Sequence, residues 1–497
     1  MQIEFFLLVV SILFFASIWV SKASSRFGVP VLLLFLGVGM LFGVDGLGIQ
    51  FDSIRVAQMV GTVALCIILF SGGMDTRVED VKPVLGPGIM LATVGVLLTT
   101  VVTGLIIWVI MDKTSIGVNI GLLTSLLLAA TMSSTDSASV FSILRGRSLH
   151  LKHRLKPTLE LESGSNDPMA YVLTITFISL VNQGGTPHYG EAVMMVVVQL
   201  VVGALSGLGL GKGLVWLINR LKIDNESLYP ILVLTSCIFI FSVTYYVRGN
   251  SYLAVYIGGL IFGNSKFVHK RSTRNFFDGV SWLGQLVMFL TLGLLVTPSE
   301  MRWNDVVLPG LIISLVMILV SRPIAVLMSL MPFKHYTFSD RVFVSWCGLR
   351  GAVPIIFAIL CRAEGVPHAD IIFNIVFFCT LVSLVLQGTT LPLMARWLKV
   401  EAQVPKKNRI EHFDIDFPEE IKSTASEIEI TAVMLKNGCQ LMDLQMPEKT
   451  LAIMVRRGDD YFVPTGKTVL HVGDKLMVLT DNDEALEQTL RALESRC

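Results

Sequence analysis

Charge is scarce in this chain of 497 residues: Asp, Glu, Lys and Arg together make up 15%, where a soluble globular protein carries about a quarter. That shortage excludes an ordinary soluble enzyme. Cysteine pairs are also missing. Cys66, Cys237, Cys347, Cys361, Cys379, Cys439 and Cys497 show no CxxC spacing, and five of them lie in apolar stretches. They read as packing groups rather than zinc or redox sites. No His-Glu-x-x-His pair occurs and no histidine falls inside an apolar stretch, so a membrane-embedded protease has nothing to work with. A Thr-Val-Gly-Tyr-Gly run is absent, and with it the carbonyl filter of a potassium channel. No basic stretch precedes residues 3–20, which therefore read as a first span rather than a cleavable signal.

What the chain has is apolar length. Hydrophobic residues make up 53% and mean hydropathy is +0.69. The average hides a step: residues 1–400 hold 27 basic and 20 acidic residues, whereas the last 97 hold 12 and 18. The reading is a transmembrane domain over residues 1–398, a linker over 399–426 and a small acidic domain over 427–497. A membrane-crossing helix needs about 20 apolar residues. Thirteen stretches qualify, some of them short: 3–20, 29–44, 56–74, 88–111, 117–142, 156–181, 190–219, 228–247, 251–264, 279–297, 306–332, 341–361 and 369–395. One set of alternating loops carries 19 Lys and Arg and the other 5. This asymmetry places the N-terminus outside and the acidic domain in the cytoplasm. Thirteen divides as six, one and six, so the two halves are expected to be inverted repeats. The linking seventh span carries Gly203, Gly207 and Gly211 at four-residue spacing, a stripe for close helix packing within the protomer or at a dimer contact.

Polar groups inside apolar spans are expensive and point to function. The sixth span contains Glu160-Leu161-Glu162-Ser163-Gly164-Ser165-Asn166-Asp167-Pro168. Helical spacing puts Ser163 one turn before Asp167 and Glu162 one turn before Asn166. Carboxylate, hydroxyl, amide and carbonyl oxygens are hard ligands that suit an alkali cation. The fifth span contains Ser133-Ser134-Thr135-Asp136-Ser137-Ala138-Ser139. So many hydroxyls compete for backbone hydrogen bonds that the helix is expected to break there and line a cavity. The twelfth span contains Cys347-Gly348-Leu349-Arg350-Gly351-Ala352-Val353-Pro354. This is a second expected break, whose buried arginine needs an anion; Glu162 or Glu160 is the candidate. Asp136 either caps a half-helix or contributes to the site. Glu160 and Asp75 stand near membrane boundaries, and Arg322-Pro323 reads as a helix cap near the interface. His150 and His153 lie in a basic loop.

These strings resemble the two signatures of the CPA1 cation:proton antiporters, the NhaP-type branch, over roughly residues 5–395. Thr135-Asp136 matches that family's broken-helix motif, although Ser137 stands where many members have proline or alanine. The resemblance implies an all-α polytopic membrane protein and a homodimer in membrane lipid. It also implies elevator-like, electroneutral exchange of K⁺ or Na⁺ for H⁺, with no cofactor and no nucleic-acid partner. It implies Asp167 as proton carrier and, with Ser163, as cation ligand. Thr135 and Asp136 would contribute through backbone and water, Asn166 would hold the broken helices, and Glu162 would pair with Arg350. The tail changes to short alternating runs separated by turns, with a closing helix expected over 483–493. It resembles the RCK-C (TrkA C-terminal) domain, a small α/β module, which implies a regulatory dimer that binds an ion or a small nucleotide. Nucleotide hydrolysis is excluded, because Tyr461 stands where a P-loop ending at Gly466-Lys467-Thr468 needs glycine.

The mechanism expected is competition: one buried carboxylate takes a cation or a proton. If only the loaded forms cross, strict exchange follows without ATP. Asn166 in place of a second acid leaves one fewer proton to carry, which gives one cation per proton and little voltage dependence. Oxygen ligands accept both ions, and the tail's kinship to potassium-transport regulators favours K⁺. The rivals are a potassium channel or uptake protein governed by the tail, which lacks a filter, and an organic-anion carrier, for which Arg350 is the only strong cationic group. The expected location is the bacterial inner membrane.

Overall fold

The structure, a computed structural model, describes residues 3–480 apart from 28–29, 52, 115, 148, 150, 153, 185–187, 222, 403–410, 414–423, 432–433, 436–438, 445, 447–449 and 459. The basic-loop histidines His150 and His153 and the closing helix expected over 483–493 lie outside the described residues. The chain divides into two units, Met1–Ala402 and Gln403–Cys497.

The first unit is helical throughout. Its helices are α1 (Ile3–Phe27), α2 (Val31–Phe42), α3 (Ile54–Asp75), α4 (Val78–Val81), α5 (Leu85–Met90), α6 (Val96–Lys113), α7 (Leu122–Thr131), α8 (Ser137–Gly146) and α9 (Leu155–Asn182). They continue as α10 (Tyr189–Arg220), α11 (Leu228–Tyr246), α12 (Ser251–Asn264), α13 (Lys270–Leu295), α14 (Leu308–Val316), α15 (Arg322–Leu330), α16 (Phe338–Trp346), α17 (Val353–Ala363) and α18 (Ala369–Trp397). π-helical turns at Leu91–Gly95 and Met317–Ser321 join α5 to α6 and α14 to α15 without a break. Polar caps set several starts. Ser53 accepts from the Val56 N–H, and Thr337 with Asp340 closes a reciprocal capping box.

Among the described residues, seven helical stretches are long and apolar enough to cross a membrane: Ile54–Asp75, Val78–Asp112, Tyr189–Arg220, Leu228–Tyr246, Lys270–Leu295, Trp303–Leu330 and Ala369–Trp397. The chain is thus a multi-pass membrane protein. Shorter apolar helices accompany these: α2 precedes them, and α7, α12 and α17 lie between them.

The helices form two packed groups. Helices α1–α3 pack with α10–α13, and α5–α9 pack with α14–α18. Helices α3, α10 and α12 meet α9 and α17 along the seam. Close approach within the first group depends on glycine. A Cβ added to Gly203 or Gly207 would stand 2.7 Å from the carbonyl oxygen of Asn250 or Ala254. The glycine stripe of α10 therefore packs inside the protomer, against α12 and the turn before it. The opposite face of α10 exposes Val193, Val197, Val201 and Leu205, as lipid contact would require.

The second unit carries a five-stranded sheet of β1 (Glu411–Phe413), β2 (Thr424–Glu429), β3 (Thr450–Arg457), β4 (Asp460–Phe462) and β5 (Lys475–Thr480). Its order is β1-β2-β5-β3-β4 and every pairing is antiparallel. Ile428, Val455, Leu476 and Val478 form its core. Strand β1 and the start of β2 fall within residues 399–426, expected as linker. The short β1 has no apolar alternation of its own and is read only through its pairing with β2.

Candidate functional site

Two interruptions cross inside the helical unit. Helix α7 ends at Thr131 and α8 begins at Ser137; α16 ends at Trp346 and α17 begins at Val353. The two non-helical stretches touch: the Asp136 N–H donates to the Leu349 carbonyl oxygen at 2.8 Å. A side chain at Gly351 would collide with the Asp136 carboxylate, its Cβ lying 2.7 Å from Oδ2. Glycine beside Arg350 is what lets the chains cross. Asp136 sits at the N-terminus of α8 and accepts from the Ser139 N–H at 3.1 Å and the Ser139 hydroxyl at 2.5 Å. It is a cap at the positive end of a half-helix.

Helix α9 runs unbroken through Pro168 and lays its polar face against the first interruption. Ser163 bridges that stretch, donating to the Thr135 carbonyl oxygen and accepting from the Ser137 N–H, both at 3.0 Å. The Asn166 amide donates to the Thr135 hydroxyl at 2.5 Å, while its Oδ1 is buried without a partner. Asp167 is 8% exposed, and its Oδ1 accepts from the Ser134 hydroxyl. Among the described residues Asp167 has no ion pair. Asp167, Ser163, Thr135, Asp136 and Asn166 are therefore neighbours around one interruption.

The ion pair differs from the expectation. Glu162 does not pair with Arg350; Arg322 Nη2 donates to Glu162 Oε1, both side chains being at most 2% exposed. Arg350 instead donates from Nη1 to the Ser134 carbonyl oxygen at 2.5 Å. The reason is topological. Arg322 begins α15 and reaches α9 from the side, whereas Arg350 lies in the second interruption, next to carbonyls that have lost their helical donors. A small cavity with room for about one water lies among Ser314, Arg322, Gly348, Arg350, Ser383 and Gln387. Arg322 Nε is buried there without a partner. From α18 the Ser383 hydroxyl accepts the Arg350 N–H at 3.0 Å and donates to Gln387 at 2.6 Å.

Arg322 and Ser134 are the residues that sequence reasoning undervalued. The signal for Arg322 was a cation followed by Pro323 deep in the apolar stretch 306–332, as costly as Arg350. The signal for Ser134 was its place in the hydroxyl run. Asp75 and Glu160 stand apart from the site. Asp75 pairs with Arg274 at 2.8 Å and is 46% exposed, and Glu160 lies 3.6 Å from Lys156.

The family model described as "Sodium/hydrogen exchanger, transmembrane" matches residues 10–397. The chain belongs to that family. This exchanger-family chain is 41% identical over 502 residues to the K(+)/H(+) antiporter NhaP2 of Shewanella sp. (strain ANA-3), covering 99% of this chain and 83% of that one. It is 39% identical over 480 residues to the K(+)/H(+) antiporter NhaP of Alkalimonas amylolytica, covering 95% and 80%. The sodium proton antiporter MjNhaP1 from Methanocaldococcus jannaschii shares the fold, with a TM-score of 0.65 at 22% identity over 78% of this chain and all of that one. Membership in an exchanger family leaves no support for the channel alternative.

Proposed function

We propose that this exchanger-family chain is an antiporter that moves K⁺ one way and H⁺ the other, one for one, with Asp167 as the shared carrier. The observation that carries the reading is an unpaired carboxylate at two crossed helix interruptions, with both nearby guanidiniums engaged elsewhere. Gathered at these interruptions are three carboxylates, the half-buried Asp136 and the buried Glu162 and Asp167, and two buried guanidiniums, Arg322 and Arg350. The formal charge is −1 when the site is empty and zero when it holds one alkali cation or one proton. Taking net charge through a low-dielectric interior is costly, so only loaded forms cross and exchange is obligatory. The names of the relatives favour K⁺ over Na⁺.

The cation meets Asp167 first, with Ser134 and Thr135 beside it. Ser163 contributes its second lone pair while keeping the interruption in shape. Thirteen spans in two inverted halves would give the two helix groups their like composition, α1–α3 with α11–α13 and α5–α9 with α14–α18. In this reading the N-terminus is outside and the chain is an elevator-type homodimer. The acidic sheet unit is a cytoplasmic RCK-C-like regulator that takes an ion or a small nucleotide.

The test is proton flux in proteoliposomes with K⁺, Na⁺ and Li⁺ supplied separately, with and without residues 403–497. Proton movement that requires K⁺ supports the reading; proton movement indifferent to every cation refutes it.

A further inference from the structure

The seam between the two helix groups passes beside the site, and one fully buried side chain spans it. Asn250 precedes α12 and is anchored on the α10 side. Its N–H donates to the Gln199 carbonyl oxygen at 2.9 Å, and its own carbonyl stands against Gly203. Its side-chain Oδ1 accepts from the Leu253 N–H at 3.0 Å and caps α12. Its Nδ2 reaches across the seam and donates to the carbonyl oxygen of Pro168, in α9, at 2.7 Å. Pro168 follows Asp167 directly. Two residues on, Tyr252 meets Tyr171 of α9 edge to face, with ring centroids 4.7 Å apart. The contacts at Asn250 and Tyr252 thus join the helix that carries Asp167 to the helix group that does not.

We propose that Asn250 is the latch of this seam: a positioning residue whose amide holds α9, and with it Asp167, in the access state seen here. The inference rests on the antiport reading, because alternating access requires one group of helices to move against the other. Such a movement pulls the Pro168 carbonyl away from Nδ2. It leaves a buried donor without a partner, which disfavours the displaced state. Capping and latching use different atoms of one side chain: the bond from Leu253 to Oδ1 fixes the amide plane, and that plane aims Nδ2 at Pro168. The latch therefore sets the balance between the two access states without touching the transported ion.

The experiment uses the full-length chain in proteoliposomes, comparing wild type with Asn250→Ser. Serine keeps the cap but is too short to reach Pro168. The half-saturating K⁺ concentration is measured separately on each membrane face, alongside thermal unfolding. The expected result is opposed shifts, weaker on one face and tighter on the other, each roughly two- to tenfold. Unchanged half-saturation on both faces, or a loss of rate with no opposed shift, overturns the latch. Should Asn250→Ser unfold early, Asn250→Asp, isosteric and also a capping residue, takes its place in alkaline buffer with the same two outcomes. A wild-type protein that exchanges nothing overturns the antiport reading itself, a result distinct from either outcome for the latch.

Discussion

Arg322 at the start of α15 and Glu162 in α9 form a buried ion pair, and Arg350 is left to hold the opened backbone at Ser134. Breaking a buried pair strands a charge, at a cost of about 3–5 kcal/mol. Arg322→Met alone is therefore expected to destabilise the protein by about that amount. Adding Glu162→Leu should recover much of the loss, since replacing both partners by apolar groups is often neutral. Thermal unfolding of the two single variants and the double variant checks this. A double variant no more stable than the single ones would mean that the two residues do not act as a pair.

Arg350→Gln should behave differently. Its guanidinium serves the Ser134 carbonyl, and Ser134 in turn donates to Asp167. Loss of exchange in a protein that still folds is expected, with Glu162 and Arg322 undisturbed. Equal destabilisation by Arg350→Gln and Arg322→Met would contradict this division of roles.

Ser134→Ala removes the hydroxyl that Asp167 accepts while leaving the carboxylate in place. A net hydrogen bond to a charged group contributes about 1.5–3 kcal/mol. Cation half-saturation should therefore move by roughly ten- to a hundredfold, with the fold retained. Flux measured against K⁺ concentration decides it, and an unchanged half-saturation would place the cation elsewhere.

The sheet unit has its own pH dependence. Arg457 donates to both Asp474 oxygens, at 2.9 and 2.7 Å, and holds that carboxyl below the usual aspartate range. A group whose folded value is lowered stabilises the fold above its unfolded value, about pH 4, and that contribution is lost as pH falls through the folded value. Hydrogen exchange of β3 and β5 in the full chain, normalised to intrinsic rates, should therefore quicken in acid. Asp474→Asn should already be faster at neutral pH and respond less to acid. An identical acid response in that variant would remove the pair from the explanation.

Much of this was legible because lipid imposes simple rules. Helix length, the charge step after residue 400 and the cost of buried polar groups mark the apolar stretches and single out Asp136, Ser163, Asn166 and Asp167. Glycine beside arginine and a run of hydroxyls mark the two interruptions, since neither sits easily in a helix facing lipid. Partnership was not legible. Glu162 offered one carboxylate to two buried arginines, and the choice depends on the lateral position of α15, which no local pattern encodes. The role of Asn250 was hidden for the same reason: its sequence neighbourhood shows a helix cap, while its second bond is made to a residue 82 positions away. Strand β1 was missed because three residues beside a charged stretch carry no periodicity.

The central claim is that cation and proton occupy one carboxylate in turn, and their competition is measurable. In proteoliposomes, the half-saturating K⁺ concentration should rise by up to about tenfold for each pH unit of acidification. The maximal rate at saturating K⁺ should stay unchanged, and Asp167→Asn should abolish exchange in a protein that remains folded. A half-saturating concentration that ignores pH, or exchange that survives Asp167→Asn, would contradict it.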